Sequence, residues 1–179
     1  MRLLKLILVV ILLSCCAKDN IFKDDELHLE KVPYTGDELR IDGYYYSEFG
    51  DEDDKLRDVY FFYRNGNLLY GSTYSSDLED KKEEEYTTEE WQSIVKESKQ
   101  RWGVFQIEGT KILFERWYPS QPPLKAYVRE GEILNDTTFK ITQSYRMKDG
   151  EKTERKDRDE TFNFKEFSPK PDSTNKFVD

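Results

Sequence analysis

From residue 39 onward the chain is a succession of short runs in which aromatic and other apolar side chains alternate with polar ones, each run closed by a turn signal. A period of two belongs to strands with one face on a core, and its repetition at close spacing restricts the chain to antiparallel sheet. Eight runs are legible: 39–49, 58–64, 68–75, 102–108, 111–118, 125–134, 137–147 and a last one ending near Phe167. The acidic stretch 50–54 closes the first run. Asn65-Gly66 predicts a type I′ hairpin between the second and third. Gly109-Thr110, Asn135-Asp136 and Asp149-Gly150 punctuate the later ones, and the proline-rich 119–123 segment cannot pair inside a sheet. One helix is predicted over 88–101, where Thr87 and Glu90 have capping-box spacing and Trp91, Ile94 and Val95 recur on one face. The charged residues 81–85 before it read as a loop.

Eight sequential strands with short connections leave two exposed edges, and closure removes both. The predicted fold is therefore mainly β, an eight-stranded antiparallel up-and-down barrel with one α-helix between strands three and four. An open curled sheet packed on the helix is the alternative. In strand number and order, residues 39–167 resemble the lipocalin-like (calycin) group, with Gly43-Tyr44-Tyr45 standing where that family carries Gly-x-Trp. Eight strands is also the number at which a barrel interior either fills with side chains or holds one small ligand. The barrel is assigned to 39–168, and Pro169 and Pro171 mark 169–179 as an extended tail.

The first residues carry a different signal. Arg2 and Lys5 lead into an apolar run, 6–13, far shorter than the roughly 20 residues a membrane-spanning helix needs, and Ser14-Cys15-Cys16 follows. This stretch resembles a bacterial lipoprotein signal, in which a Leu and two small residues precede a Cys that is acylated and becomes the first mature residue. The resemblance implies a signal peptide over 1–15 and lipidation of Cys16, with Cys15 as the alternative. Ala17-Lys18-Asp19-Asn20 is similar to the tag by which some Gram-negative bacteria send lipoproteins to the outer face of the outer membrane; the periplasmic face is the alternative. Residues 16–38 are polar, with Asp24-Asp25-Glu26, and read as a lipidated tether.

Without Arg2 and Lys5 the mature chain has 26 basic against 37 acidic residues, a net charge of −11. Such a surface repels phosphate backbones, so nucleic acid is excluded as a partner and membrane contact is left to the lipid. Both cysteines lie in the leader, so the folded part has no disulfide, thiol nucleophile or thiolate metal site. His28 is the only histidine and falls in the tether, which leaves no Ser-His or Cys-His pair. In Asp51-Glu52-Asp53-Asp54, Lys55 takes the next alternate position and the glycine of a calcium loop is missing. No catalytic residue, metal or cofactor is assigned.

Ligand binding carries more weight. Tyr44-Tyr45-Tyr46 and Tyr60-Phe61-Phe62-Tyr63 cannot all point one way, so one face fills the core and the other meets something else. That partner is either the helix, tether and tail or an apolar or sugar-like ligand. For the second case the lining residues are Trp102, Trp117, Tyr118 and Tyr127, with Arg116 and Arg129 fixing polarity and the site opening near 119–123; a bulge at Gly131 would swap faces. Asp136-Thr137-Thr138 and Asp172-Ser173-Thr174 resemble a three-residue acceptor for glycans on exported bacterial proteins, which implies Thr137 and Ser173. The leading functional expectation is a non-enzymatic, surface-tethered binding module for a small molecule. A protein-binding or inhibitor module whose acidic face meets a basic partner, and a hydrolase using carboxylates alone, are the alternatives.

Overall fold

The computed structural model describes residues 23–51, 55–119 and 122–178. Eight strands form a closed antiparallel barrel in sequence order: β1 (Gly43–Phe49), β2 (Leu56–Phe62), β3 (Asn67–Ser75), β4 (Trp102–Glu108), β5 (Lys111–Tyr118), β6 (Lys125–Asn135), β7 (Thr138–Lys148) and β8 (Glu151–Glu166). Closure is made by β1 on β8, with Gly43 opposite Glu166 and Tyr45 opposite Phe164. The open-sheet alternative is thereby excluded. Gly43 makes the seam possible: a Cβ there would stand 2.0 Å from the carbonyl oxygen of Lys165.

Several local expectations are corrected. β1 begins at Gly43 rather than residue 39, and the segment before it closes one end of the barrel. The β2–β3 hairpin is not type I′. Only Gly66 in that turn has positive φ (84°), and its N–H donates to the Tyr63 carbonyl at 2.9 Å. This is a three-residue loop whose glycine takes the left-handed position. The type I′ geometry is found instead at Asp149-Gly150, with φ of 52° and 82°. At Gly131 the pairing with β7 shifts register, but the extra residue is Thr142 on β7, so β6 keeps its own alternation there and no face is swapped at Gly131.

Two helices, not one, connect β3 to β4: α1 (Glu79–Tyr86) and α2 (Glu89–Lys96). α1 occupies the stretch read as a loop. It has no apolar stripe, and is held by Glu79 to Arg57 at 2.5 Å, by Glu83 to Lys165 at 2.8 Å and by the buried ring of Tyr86. α2 ends at Lys96 rather than 101, and its cap is Thr88, whose side chain accepts the Trp91 N–H at 3.2 Å.

Strand alternation divides the core in two. Inside the barrel lie Tyr45, Tyr60, Phe62, Phe105, Phe114, Phe139 and Phe162, closed at one end by Tyr34 and Leu39. The outer face of β1–β5 presents Tyr44, Phe61, Leu69, Trp102 and Trp117, and Tyr86, Trp91 and Val95 of the helices cover it. Residues 23–32 and the C-terminal tail complete that cover, with Leu27, Leu29, Phe177 and Val178 packed on the same cluster. The partner of the second aromatic face is therefore the chain itself.

The expected tether is accordingly a strap where it is described. Trp117 Nε1 donates to the Asp25 carbonyl at 2.6 Å, Gln106 Nε2 to the Glu30 carbonyl at 2.8 Å, and the Tyr34 N–H to the Arg64 carbonyl at 2.9 Å. The tail is fixed too: Lys170 Nζ donates to the carbonyls of Ile41 and Phe62, each at 2.6 Å, and Tyr63 donates to that of Pro171 at 3.0 Å.

Candidate functional site

With one end shut by Tyr34 and Leu39, the other end of the barrel is the mouth. The strand ends Phe49, Leu56, Tyr118, Lys125, Lys148 and Glu151 stand at that end, with the start of the strap beside them, where Asp25 pairs with Arg146. Inward positions on β5 and β8 change character toward this end. On β5 the sequence Ile112, Phe114, Arg116, Tyr118 runs from packed core to mouth, and on β8 the sequence Phe162, Glu160, Arg158, Lys156 does the same. The alternation that buries an aromatic layer thus delivers a cationic one above it.

Arg116 is 3% exposed, and its guanidinium lies between the rings of Tyr70 and Tyr118, 3.9 and 3.8 Å from their centroids. Its Nη1 donates to the carbonyls of Gln100 and Trp117 at 3.1 and 3.0 Å. No carboxylate partners it among the described residues. Arg129, 7% exposed, donates through Nε to the Tyr118 hydroxyl at 2.7 Å and through Nη1 to Glu160 at 2.6 Å. Arg158 reaches the other oxygen of Glu160 at 3.3 Å and donates to Ser144 Oγ at 3.0 Å. Asp58 is occupied by hydroxyls, accepting from Tyr70 at 3.1 Å and from Thr73.

Two recesses open here. One of about 200 Å³ is lined by Tyr118, Tyr127, Arg129, Ser144, Lys156 and Arg158. The other, about 320 Å³, lies across Arg129 and Arg158 against Ser47, Asp58 and Glu160. Tyr118 and Tyr127 meet edge to face, 5.5 Å between centroids at 87°, so the first recess has an aromatic wall beside its cations. Larger recesses of about 680 and 750 Å³ lie at the closed end and between strap and tail. Their walls are largely segments outside the strands, and the cations Lys170 and Lys99 in them are already spent on carbonyls and on Asp24.

Of the six residues expected to line a ligand site, the structure gathers Arg116, Tyr118, Tyr127 and Arg129 at the mouth. Trp102 and Trp117 are not with them. Both project to the outer face, where Trp102 Nε1 donates to the Val95 carbonyl at 2.9 Å and Lys99 Nζ sits 4.4 Å from the Trp117 ring centroid. Neighbours on one strand cannot share a face, so Trp117 is excluded by the inward pointing of Arg116 and Tyr118. Of the 119–123 segment, Pro119 follows Tyr118 and Pro122 and Pro123 precede Lys125 at this end, and Ser120 and Gln121 lie outside the described residues. Ser144, Lys156 and Arg158 were not anticipated; the alternate residues of the charged β8 run, continued from Phe162, carried that information.

Cys15 and Cys16 lie outside the described residues. Thr137 is half-buried in the β6–β7 turn, where its hydroxyl and N–H donate to Asn135 Oδ1 at 2.8 and 2.9 Å. Ser173 is half-buried and its Oγ accepts from Asn65 at 3.1 Å. Among the described residues no group of three His, Cys, Asp or Glu side chains is placed to hold a metal ion. Comparison of the chain with protein-family models, with curated proteins and with solved structures finds no match.

Proposed function

We propose that this protein is an exported, lipid-anchored binding module, non-enzymatic, whose barrel mouth takes one small sugar-like ligand. The observation that supports it is the division of the barrel interior: a lower half packed solid with aromatic rings, and an upper half opening as a recess with two tyrosine rings, a serine hydroxyl and inward-pointing guanidinium groups. A packed interior has no place for a fatty acyl chain. A shallow recess with one aromatic wall and several donors suits a hydroxyl-rich ring, with apolar face contact and a few placed polar groups.

Lipidation at Cys16 adds an orientation. The seven Cα–Cα steps from Cys16 to Lys23 span at most about 25 Å, and the strap starts at the mouth, where Asp25 pairs with Arg146 at 2.6 Å. The mouth is then the membrane-proximal end of the barrel.

Fatty-acid labelling in cells, with Cys16→Ser and Cys15→Ser variants, tests the anchor; label lost with Cys16→Ser alone is the expected result. For the ligand, a thermal-shift and NMR screen of saccharides against fatty acids and sterols is decisive. Saccharide-dependent shifts confined to the mouth are expected. Hits confined to fatty acids, or none at the mouth, would return the protein-binding reading to first place.

A further inference from the structure

The recess is cationic in a protein of formal net charge −9. Arg129, Lys156 and Arg158 line it, and no acidic residue does. Glu160 stands behind two of them, pairing with Arg129 at 2.6 Å and with Arg158 at 3.3 Å. Asp58 faces the same two arginines from the adjoining recess, and Glu154 accepts from the Tyr127 hydroxyl at 2.5 Å. Asp58 is taken by the Tyr70 and Thr73 hydroxyls, however, and Glu154 by Lys125 and Arg146, so the cations at the mouth outnumber the carboxylates that pair with them. The second terminal nitrogen of each arginine, and the Lys156 ammonium, have no hydrogen-bond or ion-pair partner among the described residues. Arg116 adds a further buried charge 3.8 Å from the Tyr118 ring centroid, and it has no carboxylate partner among the described residues.

A solvated rim does not account for this arrangement, because Arg116 and Arg129 are almost wholly buried. Holding the Arg116 guanidinium out of water without a matching anion is costly, and its charge is not relieved by losing a proton; Arg129 has Glu160 as its anion but shares it with Arg158. Tyrosine faces lower that cost without cancelling the charge. The concave, partly dry setting also strengthens the attraction of any anion that enters.

Resting on the binding-module reading, we propose that the ligand of this recess is a small oxyanion-bearing ring, a sugar acid or sugar phosphate. Its anionic oxygens meet the free donors of Arg129, Arg158 and Lys156, and its ring face lies against Tyr118 and Tyr127. The volume of about 200 Å³ is that of about seven liquid waters, enough for one such ring and too little for an oligosaccharide.

The test is a titration of isotopically labelled protein, following backbone amides and arginine side-chain N–H signals, with glucuronate, glucose 6-phosphate, inorganic phosphate and neutral methyl glucoside as separate probes. Saturable shifts at Arg129 and Arg158 with glucuronate or glucose 6-phosphate are expected, about 10-fold or more tighter than with methyl glucoside. Comparing the two acids decides between carboxylate and phosphate. Lys156→Gln should weaken the acids about 5- to 10-fold more than it weakens methyl glucoside, and because Lys156 is exposed and its side chain has no hydrogen-bond or ion-pair partner among the described residues, folding should be untouched. Methyl glucoside binding at the mouth as tightly as the acids would overturn the charge inference and leave the binding module standing. Inorganic phosphate binding as tightly as glucose 6-phosphate would overturn the ring contact. No probe perturbing the mouth would overturn both readings together.

Discussion

Glu115 Oε2 accepts the backbone N–H of His28 at 2.6 Å, joining the barrel wall to a strap 87 residues earlier in the chain. The Leu29 N–H donates to the same oxygen at 2.8 Å. Glu115 is 1% exposed, and burial pushes its carboxyl up to about 7, the two N–H donors opposing that rise. Between the ordinary value of 4.5 and about 7 the native state keeps a proton that the unfolded chain has released. Stability from this group is therefore full below that window and is lost as pH rises through it.

Glu115→Gln keeps one oxygen for both N–H groups and removes the titration. The variant should match the wild type at pH 4.5 and exceed it at pH 8 by about 1 to 3 kcal/mol. Urea midpoints at the two pH values check this. Parallel pH profiles would show that Glu115 does not titrate in that range.

The far end of the strap is closed by Asp25, which takes both Nε and Nη2 of Arg146 at 2.6 Å and the Ala126 N–H at 3.0 Å. Asp25→Ala leaves Arg146 only its 3.2 Å contact with Glu154. The expected loss is about 1 to 3 kcal/mol, confined to the strap. Hydrogen exchange at His28 and Leu29 should speed up while the Phe139 amide stays protected. Equal acceleration at both would mean that strap and barrel unfold as one unit.

Both ends of the strap show why part of this structure was hidden in the sequence. Asp24-Asp25-Glu26 reads as a solvated tether because acids are seldom buried, yet Asp24 and Asp25 are the groups that dock it, on Lys99 at 2.9 Å and on Arg146. α1 was invisible for a related reason: its attachment is ionic, through Glu79 and Glu83, and leaves no apolar periodicity. The barrel itself was legible because Tyr45, Tyr60, Phe62, Phe114 and Phe162 recur at strand spacing. Alternation says that Arg116 and Trp117 face opposite ways without saying which faces in. Apolar preference favours Trp117 as the inward residue, and the structure resolves it the other way because helices and strap supply a second dry surface. Lys156 and Arg158 were masked by the uniform charge of β8, whose inward register is set by Phe162 far along the strand.

The two threonines before α2 provide a local test of helix capping. Thr88 Oγ1 accepts the Trp91 N–H, whereas Thr87 Oγ1 donates to the Glu84 carbonyl at 2.8 Å at the end of α1. Thr88→Ala should cost about 1 kcal/mol and Thr87→Ala a few tenths. Chemical denaturation of the two variants separates them, and a larger loss at Thr87 would place the cap where the sequence alone suggested.

Inside the barrel, Phe139 lies stacked on Phe162, 4.9 Å between centroids with planes at 11°, and both are fully buried. Phe62 and Phe114 meet Phe139 edge-on at 5.9 and 6.3 Å, and Tyr60 and Phe114 meet Phe162 at 5.6 and 6.5 Å. Removing one ring from such a closed set cannot be made good by collapse, because its neighbours are held by strands on every side. Phe139→Ala should therefore cost about 3 to 5 kcal/mol. The cavity it leaves would be apolar and dry, of the kind that takes up benzene or xenon. Benzene should then stabilise Phe139→Ala and leave the wild type unmoved, read as a thermal shift. A wild-type response to benzene of similar size would mean that the interior already holds an unfilled apolar space, and an apolar-ligand reading of the barrel would regain its footing.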